Sequence, residues 1–485
     1  MSYLDLTIRE MHDALINKKV TPLELTLEAL KRAKEDNNNA FEIILEKEAI
    51  EIAKNLVEPE VDNIFWGIPF GIKDNYSTKG VLTTGSSNIL KDYVPVFNAT
   101  VVEKLLKAHA IPIAKTTLDE LAMGGTGTTG HKGITYNPHD PSHQYLVGGS
   151  SCGSAAMVAA AIAPMALGSD TGDSVRKPAS FAGLVGFKPS WGRISRFGLF
   201  PFAPSLDHVA YFTRSVFDSA AVLNLLAGRD EFDSTSSTKK VENYIEGLDD
   251  SISGKRVAII KEVIDSLNDS QALEKFNKSV EMLKKEGAII NYVSFDSKLL
   301  EAIYPTYMVI SCAEATSNNA NLDGVKFGPR YGGNTYQEVM INARTKGFSE
   351  LIKRRFIIGS FALMRENQDE LFLRAQKARR LIVDKTNEIL SENDVIYIPA
   401  CPSKASKFDS ASDKLSNTYL IADNILVLGN FAGLPSLTLP IGKIDNMPYG
   451  GNFTGRPFEE KTVLNFAKKL EDNLEFYNFS ARKVN

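Results

Sequence analysis

Between Trp66 and about Leu226, short apolar runs alternate with Gly/Ser/Thr-rich loops and helical stretches, and this alternation restricts the chain to few architectures. Ile68 to Ile72, Ile111 to Ala114 and Met165 to Leu167 have the length of strands and are separated by segments that read as helix or turn. Strands alternating with helices build an α/β sheet. The pattern resumes at Arg256–Ile260 and Ile289–Val293, which flank a helix over residues 271–286. A long helical region over residues 348–390, a strand at Val395–Pro399 and a helix ending near Leu470 complete it. The first 55 residues read as helices. Thr21 caps one of them, with Pro22 at its first position and Glu24 in the capping-box place.

Composition sets the outer limits. With 485 residues, of which 43% are hydrophobic, the chain has material for about three domains or one large unit, and disorder is excluded. Arg229 to Gly254, polar and rich in Ser, Asp and Lys, reads as a surface connection. We therefore expect one domain overall, with residues 1–60 as a helical segment packed on a body of residues 61–485. Against 59 acidic residues stand 55 Lys and Arg, so there is no basic excess for nucleic acid. Three scattered cysteines suit neither a disulfide framework nor a zinc site. The N-terminus lacks the layout of a signal peptide. The most apolar stretch, Ala155 to Leu167, is interrupted by Pro164 and too short to span a bilayer. A cytoplasmic protein without membrane contact is expected.

Chemistry concentrates in two loops, Gly148-Gly149-Ser150-Ser151-Cys152-Gly153-Ser154 and Asp170-Thr171-Gly172-Asp173-Ser174-Val175-Arg176-Lys177-Pro178. Small residues at this density let backbone N–H groups approach a ligand, while their serines can be nucleophiles or helix caps. Gly149 to Gly153 matches the nucleophile-elbow pattern with Ser151, but His208, the one downstream histidine, leaves little room for the intervening strands. Ser174 and Lys177 match the S-x-x-K pattern, yet Pro178 disfavours helix at Lys177 and no Lys-Thr-Gly follows. The loop of residues 125–130 with Lys132 misplaces the lysine of a phosphate-binding loop.

Three blocks taken together fit one family. Gly67-Ile68-Pro69-Phe70-Gly71-Ile72-Lys73-Asp74-Asn75, then Gly148 to Ser151, then Asp170 to Pro178, extended by Gly186 to Ser190, resemble the amidase signature family. The resemblance implies a large mixed central sheet covered by helices on both faces. It also implies a Ser-Ser-Lys triad, with Ser174 as nucleophile, Ser150 as the bridging serine on a cis peptide, and Lys73 as base. A serine needs a base to become nucleophilic, and a lysine can serve only when neutral, which burial favours. Backbone N–H groups of Thr171, Gly172, Asp173 and Ser174 would form the oxyanion hole. Asp74 is expected to be structural, and Cys152 a small buried residue.

Two departures from the family stand out. Asp173 occupies a position usually held by Gly, and a carboxylate about 5 Å from an oxyanion would oppose it by about 3 kcal/mol. We expect Asp173 to turn towards Arg176 or Lys177. The loop Gly124-Gly125-Thr126-Gly127-Thr128-Thr129-Gly130-His131 also differs from the usual sequence beside the substrate amide, where Gly124 is a candidate contact.

Within the family the resemblance is to the glutaminase components of glutamyl-tRNA(Gln) amidotransferases, through Ala313 to Asn318, Lys353-Arg354-Arg355 and Asn430 to Pro435. It implies that Tyr307, Arg355 and Asp423 hold glutamine. An Arg suits the α-carboxylate and an Asp the α-ammonium. The implied activity is release of ammonia from glutamine, which a tRNA-binding kinase subunit consumes with ATP and magnesium while a small third subunit braces the assembly. This chain would need no cofactor of its own and would meet tRNA only indirectly. A stand-alone amidase and a catalytically weak scaffold subunit are the alternatives.

Overall fold

The computed structural model describes residues 2–410 and 418–483. Eleven strands form one mixed sheet: β1 (Phe41–Ile44), β2 (Pro69–Lys73), β3 (Ile111–Thr116), β4 (Met165–Asp170), β5 (Val185–Lys188), β6 (His208–Thr213), β7 (Arg256–Ile260), β8 (Ile289–Val293), β9 (Val395–Pro399), β10 (Ser436–Ile444) and β11 (Met447–Gly455). Their spatial order is β1-β3-β2-β4-β6-β5-β10-β11-β9-β7-β8. Strand β2 runs parallel to both β3 and β4, and β7 runs parallel to both β8 and β9; the remaining pairs are antiparallel.

Alternation along the strands explains why helices cover both faces. Val257, Ile259, Val395 and Tyr397 join one apolar cluster, while Ala258, Ile260, Ile396 and Ile398 join another. Met165 and Leu167 likewise face the first cluster and Ala166 a third. Successive side chains of a strand point to opposite faces, so a strand that is apolar at every position needs cover on both.

The N-terminal region departs from the helical expectation. Helices Ile8–Ile16 and Pro22–Lys34 form, the second with its Thr21–Glu24 capping box, but Phe41–Ile44 pairs antiparallel with β3 as an edge strand. Four residues are too few for periodicity to separate strand from helix. The long helical region over residues 348–390 comprises two main helices, Glu350–Leu363 and Arg374–Glu392. The hairpin β10–β11 escapes the sequence pattern because Pro440, Gly442, Pro448, Gly450 and Gly451 resemble loop. Its turn places Asp445 and Asn446 at φ of 47° and 67°, the left-handed geometry of two-residue hairpins. Among the described residues no helix is long and apolar enough to cross a membrane.

Candidate active site

The parallel strands β2 and β4 end side by side, and the two small-residue loops meet at those ends. Lys73 is the last residue of β2 and is fully buried. Its Nζ lies 2.9 Å from Ser150 Oγ, 2.8 Å from Ser151 Oγ and 3.0 Å from Ser169 Oγ. Ser169 comes from β4, while Ser150 and Ser151 enter helix Cys152–Ala159 across a cis Gly149–Ser150 peptide. Burial pulls the Lys73 ammonium down from 10.5 to about 7, against weaker opposing pulls from Cys152, Asp119, Asp170 and Asp207. Three hydroxyls and no carboxylate surround the amine, so little holds its proton. A substantial neutral fraction of Lys73 at neutral pH follows from this setting.

Ser174 is buried at the start of the segment leading into helix Arg176–Ala182, and its carbonyl accepts from the Ser151 N–H at 3.2 Å. Its hydroxyl makes no hydrogen bond among the described residues, so the step between Ser150 and Ser174 is open in this geometry. The N–H groups of Thr171, Gly172, Asp173 and Ser174 also donate to no described protein atom. Four consecutive idle amides beside a serine hydroxyl form a ready anion-binding loop.

What shapes that loop is a buried ion pair that no sequence motif announces. Arg176 Nη2 lies 2.9 Å from Asp170 Oδ1, and both side chains are wholly buried. The same nitrogen donates to the Gly172 carbonyl at 2.8 Å and to Asn430 Oδ1 at 2.6 Å. Asp170 Oδ2 accepts from the Val175 N–H at 3.1 Å, which pins the far side of the loop. Burial pushes the Asp170 carboxyl upward, but Arg176 overcomes it and holds the group far below the usual carboxylate range. The one signal in the chain is an Asp and an Arg bracketing a loop of small residues.

Asp119 does the same for the divergent loop. Its carboxylate accepts from the N–H groups of Thr126, Gly127, Thr128 and Thr129, and from the Thr129 hydroxyl at 2.8 Å. A Cβ at Gly124 would stand 2.5 Å from Asp119 Cβ, and one at Gly149 would stand 2.0 Å from its Oδ2. The glycines are therefore dictated by the carboxylate they enclose. Asp74, by contrast, pairs with buried Lys115 at 3.1 Å and accepts from Thr84, consistent with a structural part.

Asp173 is engaged by a cation: its carboxylate lies 2.9 Å from Lys177 Nζ. The same ammonium reaches Asp423 Oδ1 at 3.2 Å. Tyr307 closes over the loop, since a Cβ on Gly172 would fall 3.2 Å from its hydroxyl. Arg355, on helix Glu350–Leu363, forms no ion pair among the described residues, and its Nε is buried without a hydrogen-bond partner. Its guanidinium stands 5.7 Å from the Phe202 ring, whereas Arg354 is exposed. A guanidinium without an ion-pair partner, close enough to Tyr307 to oppose burial's upward push on its hydroxyl's affinity for a proton, invites an anion.

The rival chemistries lose their geometry. Ser151 Oγ engages Lys73 and Ser169, while His208 is buried with Nδ1 2.6 Å from the Leu206 carbonyl. Burial pushes the Cys152 thiol up to about 12, so it is no thiolate. A large cavity of about 950 Å³, lined by Arg9, His12, Phe217 and Glu471, contains none of these site residues.

A family model described as amidase matches residues 24–464. The chain belongs to the amidase signature family. The glutamyl-tRNA(Gln) amidotransferase A subunit of Pediococcus pentosaceus is 37% identical over 483 residues, covering 99% of this chain and 98% of that one. The protein of the same name from Streptococcus mutans is 37% identical over 485 residues, covering 98% of each. Among solved structures, the glutamyl-tRNA(Gln) amidotransferase A subunit of Thermotoga maritima aligns with a TM-score of 0.79 at 34% identity, covering 99% of this chain and 98% of that one. The peptide amidase of Stenotrophomonas maltophilia aligns with a TM-score of 0.81 at 25% identity, covering 97% of each. As a member of this family the chain is an enzyme of the amidase class, and its mixed sheet is the family's fold.

Proposed function

We propose that this amidase is the glutaminase component of a tRNA-dependent amidotransferase. The observation that carries the chemistry is a buried lysine, depressed to about 7, in contact with Ser150 beside the Ser174 loop. Neutral Lys73 draws a proton through Ser150 from Ser174, whose Oγ attacks the side-chain amide of glutamine. The idle amides of Thr171 to Ser174 receive the developing oxyanion. Collapse expels ammonia, which takes its proton back along the same relay, and water then releases glutamate from the acyl-enzyme. Arg355 takes the α-carboxylate and Asp423 the α-ammonium, with Tyr307 over the loop; Gly124 lies in the wall beside the amide.

The near-full-length match to the amidotransferase proteins of Pediococcus pentosaceus and Thermotoga maritima supports the wider assignment. On this reading two further subunits assemble with the chain in the cytoplasm. One binds tRNA and uses ATP and magnesium to activate glutamyl-tRNA(Gln), so the ammonia made here completes glutaminyl-tRNA(Gln). The absence of a basic excess agrees with RNA being held by a partner. The test is glutamine hydrolysis with and without the partner subunits, for wild type and Ser174→Ala. Loss of activity in the variant supports the assignment, and activity that survives it removes Ser174 as nucleophile. Activity on simple aliphatic amides but not glutamine would instead point to a stand-alone amidase.

A further inference from the structure

The loop that carries Ser174 also carries a carboxylate that amide hydrolysis does not call for. Asp173 sits between Gly172 and Ser174, whose N–H groups are, on the reading above, donors to the developing negative charge. It is silenced by Lys177, one helical turn on, at 2.9 Å. Lys177 does not belong to Asp173 alone. Its ammonium also contacts Asp423 Oδ1 at 3.2 Å and donates to the Asp423 carbonyl at 2.8 Å, reaching a segment 246 residues away. An exposed (i, i+4) pair would do little. Here the two side chains are only 10% and 17% exposed, and the cation bridges two parts of the site. Two carboxylates sharing one ammonium leave a single negative charge, which suits a ligand that brings an ammonium of its own.

Resting on the reading that Asp423 receives the substrate's α-ammonium, we propose that Lys177 is a positioning residue coupling the oxyanion loop to the ammonium subsite. With the site empty, Lys177 divides itself between Asp173 and Asp423. A substrate ammonium replaces it on Asp423, and Lys177 then serves Asp173 alone, holding that carboxylate away from the idle amides. Amides bearing an α-ammonium thus complete the loop's electrostatics as they bind, and amides lacking one do not. The pair Asp173 and Lys177 is charge-compensated: either alone damages the site, and removing both leaves Asp423 free and the loop neutral.

The experiment measures kcat and KM on the assembled complex for glutamine and for glutaric acid monoamide, which lacks the α-ammonium. Wild type is compared with Lys177→Gln, Lys177→Arg, Asp173→Gly and the double variant Asp173→Gly/Lys177→Gln. Lys177→Gln frees a carboxylate beside the oxyanion, so kcat falls about 10-fold or more on both amides, whereas Lys177→Arg retains it. Asp173→Gly leaves Lys177 wholly on Asp423, so KM for glutamine rises about 10-fold while KM for the monoamide is unmoved. The double variant recovers both parameters to within about 3-fold, the signature of coupled sites. A double variant no better than its worse parent overturns the coupling, as does a KM rise in Asp173→Gly that is equal for the two amides. If Lys177→Gln does not fold, Asp173→Gly and the double variant still decide. A wild-type complex that cleaves the monoamide but not glutamine overturns the glutamine reading and the ammonium half of this proposal. The kcat rescue, read on the monoamide, then decides the loop half.

Discussion

Replacing Lys73 by Met removes the proposed base and, with it, an energetic burden on the fold. A displacement of the ammonium from 10.5 in the open chain to about 7 in the folded one, at about 1.4 kcal/mol per pH unit, amounts to about 5 kcal/mol of destabilisation when Lys73 is charged. At pH 7, where half the folded molecules are neutral, about 4 kcal/mol of it remains. Methionine fills the lysine stem with no charge, but leaves the hydroxyls of Ser150, Ser151 and Ser169 without their shared partner, at about 1 kcal/mol each, since Ser151 still donates to the Ser169 carbonyl and Ser169 Oγ still accepts from Asn75. The variant is therefore expected to lose glutaminase activity by about 10⁴-fold and yet gain about 1 to 2 kcal/mol of stability at pH 7. The pH dependence has a definite sign. Because the folded-state value lies below the unfolded one, the unfolded chain binds more protons between about 7 and 10.5, and wild-type stability from this group rises with pH across that window. The advantage of Lys73→Met should shrink by about 2 kcal/mol between pH 7 and pH 9 in urea unfolding. The activity of wild type should rise through about pH 7 as neutral lysine accumulates. An advantage that does not narrow, or a variant that keeps more than about a hundredth of the activity, would refute the neutral-lysine mechanism.

Three further outcomes follow from the surroundings of the triad. Arg176→Met strands the buried Asp170 carboxylate and should lower unfolding free energy by about 3 to 5 kcal/mol at pH 7, a deficit that narrows on acidification because Asp170, raised above its unfolded value without Arg176, takes up its proton first in the folded state. Arg355→Gln should raise KM for glutamine by about 10- to 100-fold, while Arg354→Gln, on the exposed side of the same helix, leaves it unmoved in steady-state assays. Asp119→Ala releases the four N–H groups of Thr126 to Thr129 and should cut kcat by about 10-fold or more, with a drop in Tm measured by calorimetry.

Strands with uninterrupted apolar residues, such as Val257–Ile260 within the strand Arg256–Ile260 and Val395–Pro399, are legible in the sequence because both faces are buried there and composition alone marks them. The hairpin from Ser436 to Gly455 is not legible, since its glycines and prolines mark close packing here rather than a loop. In the site, Lys73, Ser150 and Ser174 can be named from the three blocks, and from its charge the engagement of Asp173 by a neighbouring cation, though not the choice of Lys177 over Arg176. The work of Ser169, Asp119 and the Asp170–Arg176–Asn430 network cannot. Ser169 meets Lys73 and Arg176 meets Asn430 across strands far apart in the chain, while Asp119 binds a nearby loop, and a single carboxylate or hydroxyl gives no local pattern that says where its partners are. The engagement of Asp423 by Lys177 is hidden for the same reason.

The central claim is that Ser174 carries the acyl group. Mixing the assembled complex with glutamine, quenching in acid within the first turnover and mapping peptides by mass spectrometry addresses it directly. The mechanism predicts one γ-glutamyl group on the peptide containing Ser174, lost on longer incubation and absent from Ser174→Ala. An adduct on Ser150, Ser151 or Cys152, or one that persists in Ser174→Ala, would contradict it.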